Sequence, residues 1–141
     1  MRYAVELHAD TESGSVIVSV PDLPKVHTYG SDEGEALVQA VDAVETWLSY
    51  LIEEGEQIDE PSEAGNRRTI SLPIRTTGKI AIYRAMMRQG LDEAALATHL
   101  KRPVRWVTSL LDLYADTDIE EIETALNSLG LMMKVKVEEA A

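Results

Sequence analysis

Two short stretches with apolar faces, separated by a tight basic turn, constrain this chain more than any other feature: Gly90-Leu-Asp-Glu-Ala-Ala-Leu-Ala-Thr-His-Leu-Lys-Arg-Pro-Val-Arg-Trp-Val-Thr-Ser-Leu-Leu111. Leu91, Leu96, Ala97 and Leu100 recur at helical spacing in the first stretch, and Val104, Val107, Leu110 and Leu111 do so in the second. Ala97 is small where the two helices would cross. The pattern predicts a helix-turn-helix, which offers its second helix to a DNA major groove. At about 100° per residue, Arg105 and Ser109 point away from the apolar face, with Trp106 and Thr108 on its flanks. An ordinary helical hairpin with a solvated polar face would read the same way.

Charge separates those two readings. The chain carries 13 Lys and Arg against 25 Asp and Glu, a net charge of −12, which makes it a poor general binder of nucleic acid. The acidity is concentrated: residues 1–69 hold 4 basic and 15 acidic side chains, whereas residues 70–141 hold 9 and 10. Around the helix pair, Arg75, Lys79, Arg84, Arg88, Lys101, Arg102 and Arg105 face only Asp92 and Glu93. That local excess has the sign of a phosphate footprint, although lysines and arginines also serve simply to solvate helix faces.

With 141 residues, 45% of them hydrophobic, the chain is long enough for one ordinary domain or two small ones and is not disordered in composition. It has no cysteine, which excludes disulfides and thiolate zinc sites and agrees with a reducing compartment. The first residues lack the apolar run of a signal peptide, and no segment approaches the ~20 apolar residues of a membrane span. The expectation is a soluble cytoplasmic protein with no membrane contact.

Residues 1–74 read as a sheet with one packed helix. Tyr3, Val5 and Leu7 alternate with Arg2, Ala4, Glu6 and His8, and Val16, Val18 and Val20 with Ser15, Ile17 and Ser19, as in half-buried strands. Asp10 to Gly14 would turn the first into the second. Pro21-Asp-Leu-Pro24 would stop the second, and Val26 to Tyr29 would supply a third. Asp32 followed by Glu35 resembles a capping box, after which Leu37, Ala40, Val41, Val44, Trp47, Leu48 and Leu51 form a helical stripe. Thr69 to Ile74 looks like an edge strand, because Pro73 cannot donate to a ladder. Residues 75–78, Arg-Thr-Thr-Gly, are the expected linker.

Residues 79–141 then read as a helical bundle that ends in a strand, giving an α+β chain. Ile80, Tyr83 and Met87 mark a helix ending near Gly90, ahead of the pair already described. Thr117 with Glu120 predicts another capping box for a helix bearing Ile119, Ile122, Leu126 and Leu129, closed by Gly130. Leu131, Met133, Val135 and Val137 alternate with Met132, Lys134 and Lys136, predicting a last strand without a partner in its own unit. Pairing with a second copy to form a homodimer or higher homo-oligomer is one expectation, and folding back onto the first sheet is the other.

Pro21-Asp-Leu-Pro24, the Tyr29-Gly30 step, the Asp32 to Glu54 helix with Glu35-Ala-Leu37 near its start, and Pro61-Ser62 together resemble the HicB antitoxin family. In the second half, Met87-Arg-Gln-Gly-Leu91, Leu110-Leu-Asp-Leu113, the Ile119 to Gly130 helix and the terminal strand extend the resemblance over the whole chain. It implies an N-terminal domain of partial ribonuclease H-like fold that blocks a HicA-type ribonuclease toxin, and a C-terminal domain that binds operator DNA of its own operon. The DNA-binding candidates are Arg88, Lys101, Arg102, Arg105, Trp106, Thr108 and Ser109. Toxin-binding candidates are Asp22, Leu23 and Tyr29, for which structural roles in the turn are the stronger reading. Leu131, Met133, Val135 and Val137 are the dimerisation candidates. Two departures stand out: Lys101 occupies the place of a turn glycine, and Ser109 the place of an arginine.

Other functions fit less well. Asp10, Asp22, Asp42 and Glu45 have no spacing that brings carboxylates together for metal-dependent nuclease chemistry, and His8, His27 and His99 are scattered. No enzyme, metal or cofactor is expected. A stand-alone helix-turn-helix regulator with an acidic partner- or ligand-binding domain is the alternative, but there is no glycine-rich phosphate loop, and no Phe to help build an aromatic cage.

Overall fold

Residues 2–9 run as one extended stretch with a different partner on each edge. β1 (Arg2–Ala4) pairs antiparallel with β5 (Thr69–Ser71), and β2 (Glu6–Ala9) pairs with β3 (Val16–Ser19), which pairs in turn with β4 (His27–Gly30). Hydrogen-bonded pairs alternate along an antiparallel ladder. Leu72 N donates to Met1 O at 3.0 Å and Val5 N to Arg68 O at 2.9 Å, so the odd-numbered residues face β5. Asp10 N donates to Ser15 O at 2.8 Å, so Glu6 and His8 face β3 on the opposite edge. The lateral order is therefore β4, β3, the N-terminal stretch, β5. In the computed structural model, which describes residues 1–140, these elements belong to a first unit, Met1–Pro73, and the second unit begins at Ile74.

The same alternation defines the outer edge of β4. Val20 N donates to Val26 O at 3.3 Å, which sets Val26, Thr28 and Gly30 against β3 and turns the backbone groups of His27 and Tyr29 outward. No further strand pairs with β4 among the described residues.

α1 (Glu33–Glu53) begins as its sequence predicts. Asp32 Oδ1 accepts from Glu35 N at 2.8 Å, and the Ser31 hydroxyl donates back to the Glu35 carboxylate at 2.9 Å. Its buried stripe is Ala36, Ala40, Val44 and Leu48, small at the start and larger beyond, while Leu37, Val41, Trp47 and Leu51 are only half-buried. Small residues let the helix approach the sheet closely. A Cβ on Gly30 would lie 2.4 Å from Ala36 N, so only glycine fits at the end of β4.

The second unit contains α2 (Ile74–Gln89), α3 (Glu93–Leu100), α4 (Val104–Leu111) and α5 (Ile119–Ser128). Ile82, Ala85, Met86, Leu96, Ala97, Val107, Leu110, Ile122, Ala125, Leu126 and Leu129 form its core. Residues 75–78 are not a linker; they belong to the start of α2. Gly78 is buried there, and a Cβ on it would meet Ile122 Cγ2 at 2.5 Å and Met133 Cε at 2.7 Å, so this glycine serves helix packing and not flexibility. Asp118, not Thr117, is the N-cap of α5, and neither makes the expected capping box: Thr117 is buried and Asp118 makes no side-chain cap bond.

The expected terminal strand is also absent among the described residues. A strand needs a ladder, and this unit has no other strand to pair with. Leu131 and Met133 pack against the core, whereas Met132, Val135 and Val137 are exposed.

Candidate functional site

The α3–turn–α4 segment gathers most of the expected nucleic-acid candidates. Gly90, at φ 66°, ends α2, and Asp92 starts α3 by accepting from Ala95 N at 2.7 Å. Leu96 and Ala97 turn inward. Lys101 then takes a left-handed conformation, φ 57° and ψ 43°, in the place where a glycine would be unstrained. Its amide donates to Thr98 O at 3.2 Å and the Arg102 amide to Ala97 O at 3.0 Å, which closes α3. Pro103 pre-sets the entry to α4, whose first turn closes with Trp106 N donating to Pro103 O at 3.0 Å.

Val107 and Leu110 bury one side of α4 completely and leave Arg105, Thr108 and Ser109 exposed on the other. The Arg102 guanidinium lies 4.6 Å from the centre of the half-buried Trp106 ring, a cation–π contact that holds the arginine at the N-terminal end of α4. Lys101, Arg105 and Arg88 are exposed and have no acidic partner among the described residues. Arg88 stands apart from the other candidates in sequence, in the last turn of α2.

Two candidate hydroxyls are committed within the fold. Thr108 Oγ1 donates to Glu93 Oε2 at 2.9 Å, and Ser109 Oγ to Arg105 O at 3.2 Å. Glu93 gave no sign of this in the sequence beyond its position in the first turn of α3.

The broader basic footprint shrinks. Arg75 pairs with Asp116 at 3.1 Å. Lys79 is fully buried, and its Nζ donates to Asp112 O at 2.7 Å, Ala115 O at 2.8 Å and Ser109 O at 3.1 Å. It is thus a distant cap for the C-terminal end of α4 and not a phosphate contact. Burial holds its ammonium below the usual lysine range, and the Asp112 carboxylate offsets part of that effect.

In the first unit, Asp22 is half-buried and accepts from Ser62 N at 2.7 Å, which ties the Pro-flanked turn to the segment after α1. Leu23 is half-buried beside it. Tyr29 is 69% exposed and lies across from Ile17, which lies across from His8, forming one row over the outer sheet face. Periodicity does not foretell a cleft of about 490 Å³ lined by Lys25, Val26, His27, Ala43, Thr46, Trp47 and Tyr50. Trp47 and Tyr50 stack there with ring centres 5.2 Å apart, and Lys25 Nζ lies 5.7 Å from the Trp47 ring centre. Among the described residues no cluster of His, Asp or Glu could hold a metal, and no helix is long and apolar enough to cross a membrane.

Comparison with known proteins gives these two units a context. Residues 2–81 match the family described as HicB_like antitoxin of bacterial toxin-antitoxin system. The chain is 33% identical to an antitoxin HicB of Pseudomonas fluorescens, over 99% of this chain and 95% of that one. It is 30% identical to an antitoxin HicB of Escherichia coli K12, over 92% and 94%. It is also similar to the crystal structure of the N-terminal domain of the Burkholderia pseudomallei antitoxin HicB, at 25% identity over 52% of this chain and 99% of that one, with a TM-score of 0.46. The relatives are antitoxins, not enzymes, and this chain belongs to the HicB-like antitoxin family of bacterial toxin–antitoxin systems.

Proposed function

We propose that residues 1–73 bind and neutralise a small basic HicA-type ribonuclease in the cytoplasm, and that the α3–α4 pair acts as a helix-turn-helix to repress the chain's own operon. The observation that carries the first half is the coincidence of the family match, residues 2–81, with the acidic part of the chain. A ribonuclease that grips RNA presents positive charge, and an inhibitor of opposite sign gains association rate and specificity. The order β4, β3, N-terminal stretch, β5, with α1 packed on the sheet, supports reading the unit as a partial ribonuclease H-like fold.

For the second half, the support is that Lys101 and Arg105 are exposed and without an acidic partner among the described residues, with Arg102 held over Trp106 beside them, while α4 buries its opposite side. Reading a palindrome needs two copies, and the exposed Met132, Val135 and Val137 supply an apolar segment for pairing them, with Leu131 and Met133 anchored on the core. Co-expression with a HicA-type toxin tests the inhibitory half. A fragment ending at Pro73 is expected to restore growth; continued arrest with a folded, soluble fragment overturns the assignment of inhibition to this unit.

A further inference from the structure

We infer that the open edge of β4 and the aromatic cleft beside it form the docking line for an extended, basic segment of the toxin, an inference that rests on the toxin-neutralising reading above. The outward N–H and C=O groups of His27 and Tyr29 offer a strand template, and β4 contains neither proline nor lysine to blunt it. An added strand would satisfy these groups through main-chain bonds and place alternate side chains on either side. The cleft lies at the beginning of the same strand, where Val26 and the stacked Trp47 and Tyr50, with Lys25 over the Trp47 ring, line a hollow with room for an apolar side chain.

The charge around the cleft selects the occupant. Glu53 and Glu54 follow Tyr50 by three and four residues and so lie on its side of α1. Both are exposed at the negative end of the helix, and the last turn contains no basic residue. Lys25 already lies over the Trp47 ring, so a lysine or arginine next to the apolar side chain of the incoming strand would meet Glu53 and Glu54 at the helix end instead. A second copy of this chain would instead bring a surface of net charge −11 against its own kind, and a nucleic acid would be repelled likewise.

The test uses full-length protein and a basic HicA-type ribonuclease. Hydrogen exchange at the His27 and Tyr29 amides should be fast in the free chain and slow in the complex. Tyr29→Pro removes an outward N–H without touching the β3 ladder, so it should weaken binding by at least about tenfold more than Tyr29→Ala. Trp47→Ala should weaken it by about tenfold or more. Unprotected amides in the complex, or a Pro variant that binds like the Ala variant, overturn the docking line. The exchange arm decides the matter if the Pro variant fails to fold. If Tyr29→Pro lowers the mass of the free chain in light scattering and leaves toxin binding intact, the edge serves a second copy and the inference falls. A wild-type chain that does not bind the basic protein at all removes the toxin reading itself, a result distinct from the others.

Discussion

Thr108 on α4 donates its hydroxyl proton to Glu93 on α3 across 2.9 Å, so a residue on the outer side of α4 is neutral in composition but tied to a carboxylate. Its capacity to donate to a base edge is already used. Thr108→Val, which keeps the methyl group and the shape, should leave operator preference nearly unchanged. Glu93→Gln removes a negative charge from beside the basic turn and should strengthen binding to any DNA by roughly 0.5–1 kcal/mol. Fluorescence titration of both variants against operator and unrelated DNA measures this; weaker binding by Glu93→Gln would show that the carboxylate itself contacts a base.

Arg105 is the candidate for reading sequence. Arg105→Ala should cost about 1–3 kcal/mol on the operator and relax preference, as expected for loss of a bidentate guanine contact. Arg88→Ala should weaken all sequences alike and reduce the salt slope by about one. Titrations at several salt concentrations separate the two, and equal affinities for both variants and the wild type would place DNA contacts elsewhere.

Lys101 holds a left-handed backbone at the end of α3. Lys101→Gly should stabilise the fold by roughly 0.5–1 kcal/mol, the relief of Cβ crowding exceeding the added chain entropy. The same change removes a cation from the turn, so DNA affinity should fall as urea resistance rises. Denaturant titration and a binding curve on one protein preparation check both directions.

Lys79 fastens three carbonyls at the end of α4 and beyond. Lys79→Met keeps the length but leaves those acceptors without their donor, at a cost of about 2–4 kcal/mol. Because burial lowers the folded-state pKa below lysine's ordinary 10.5, the unfolded chain binds more protons in the interval between the two values. This group therefore makes stability rise with pH as 10.5 is approached from below. Urea unfolding across that interval should show the rise in the wild type and its loss in the Met variant.

Gly30→Ala should destabilise the first unit by roughly 1–3 kcal/mol, since the new methyl meets helix backbone and not a movable side chain. Circular dichroism during thermal unfolding measures it, and an unchanged midpoint would mean that α1 shifts away at no cost.

Local signals were legible wherever one stretch of chain settles the matter. Asp32 and Glu35 announced the start of α1, and Val107 and Leu110 the inward side of α4. Contacts between distant stretches were not. Lys79 reads as a surface lysine because its acceptors lie 30 to 36 residues further on. Arg75-Thr-Thr-Gly78 has the composition of a loop, and only the presence of Ile122 and Met133 explains a glycine inside a helix. The Leu131 to Val137 alternation has the period of a strand, but the described residues of this unit offer no second strand to pair with it, and periodicity alone does not supply a ladder. At the candidate site, exposure of Arg105 followed from the helical wheel, whereas the Glu93 bond to Thr108 required the helix crossing itself.

The outward amides and carbonyls of His27 and Tyr29 also bear on how the free protein behaves at high concentration. An unguarded strand edge is ordinarily an invitation to fibrous self-association. Here each copy presents the same edge on a surface of net charge −11, so approach of two copies is opposed by long-range repulsion. The acidity thus doubles as a colloidal safeguard that acid or high ionic strength would remove, leaving turbidity as its visible sign.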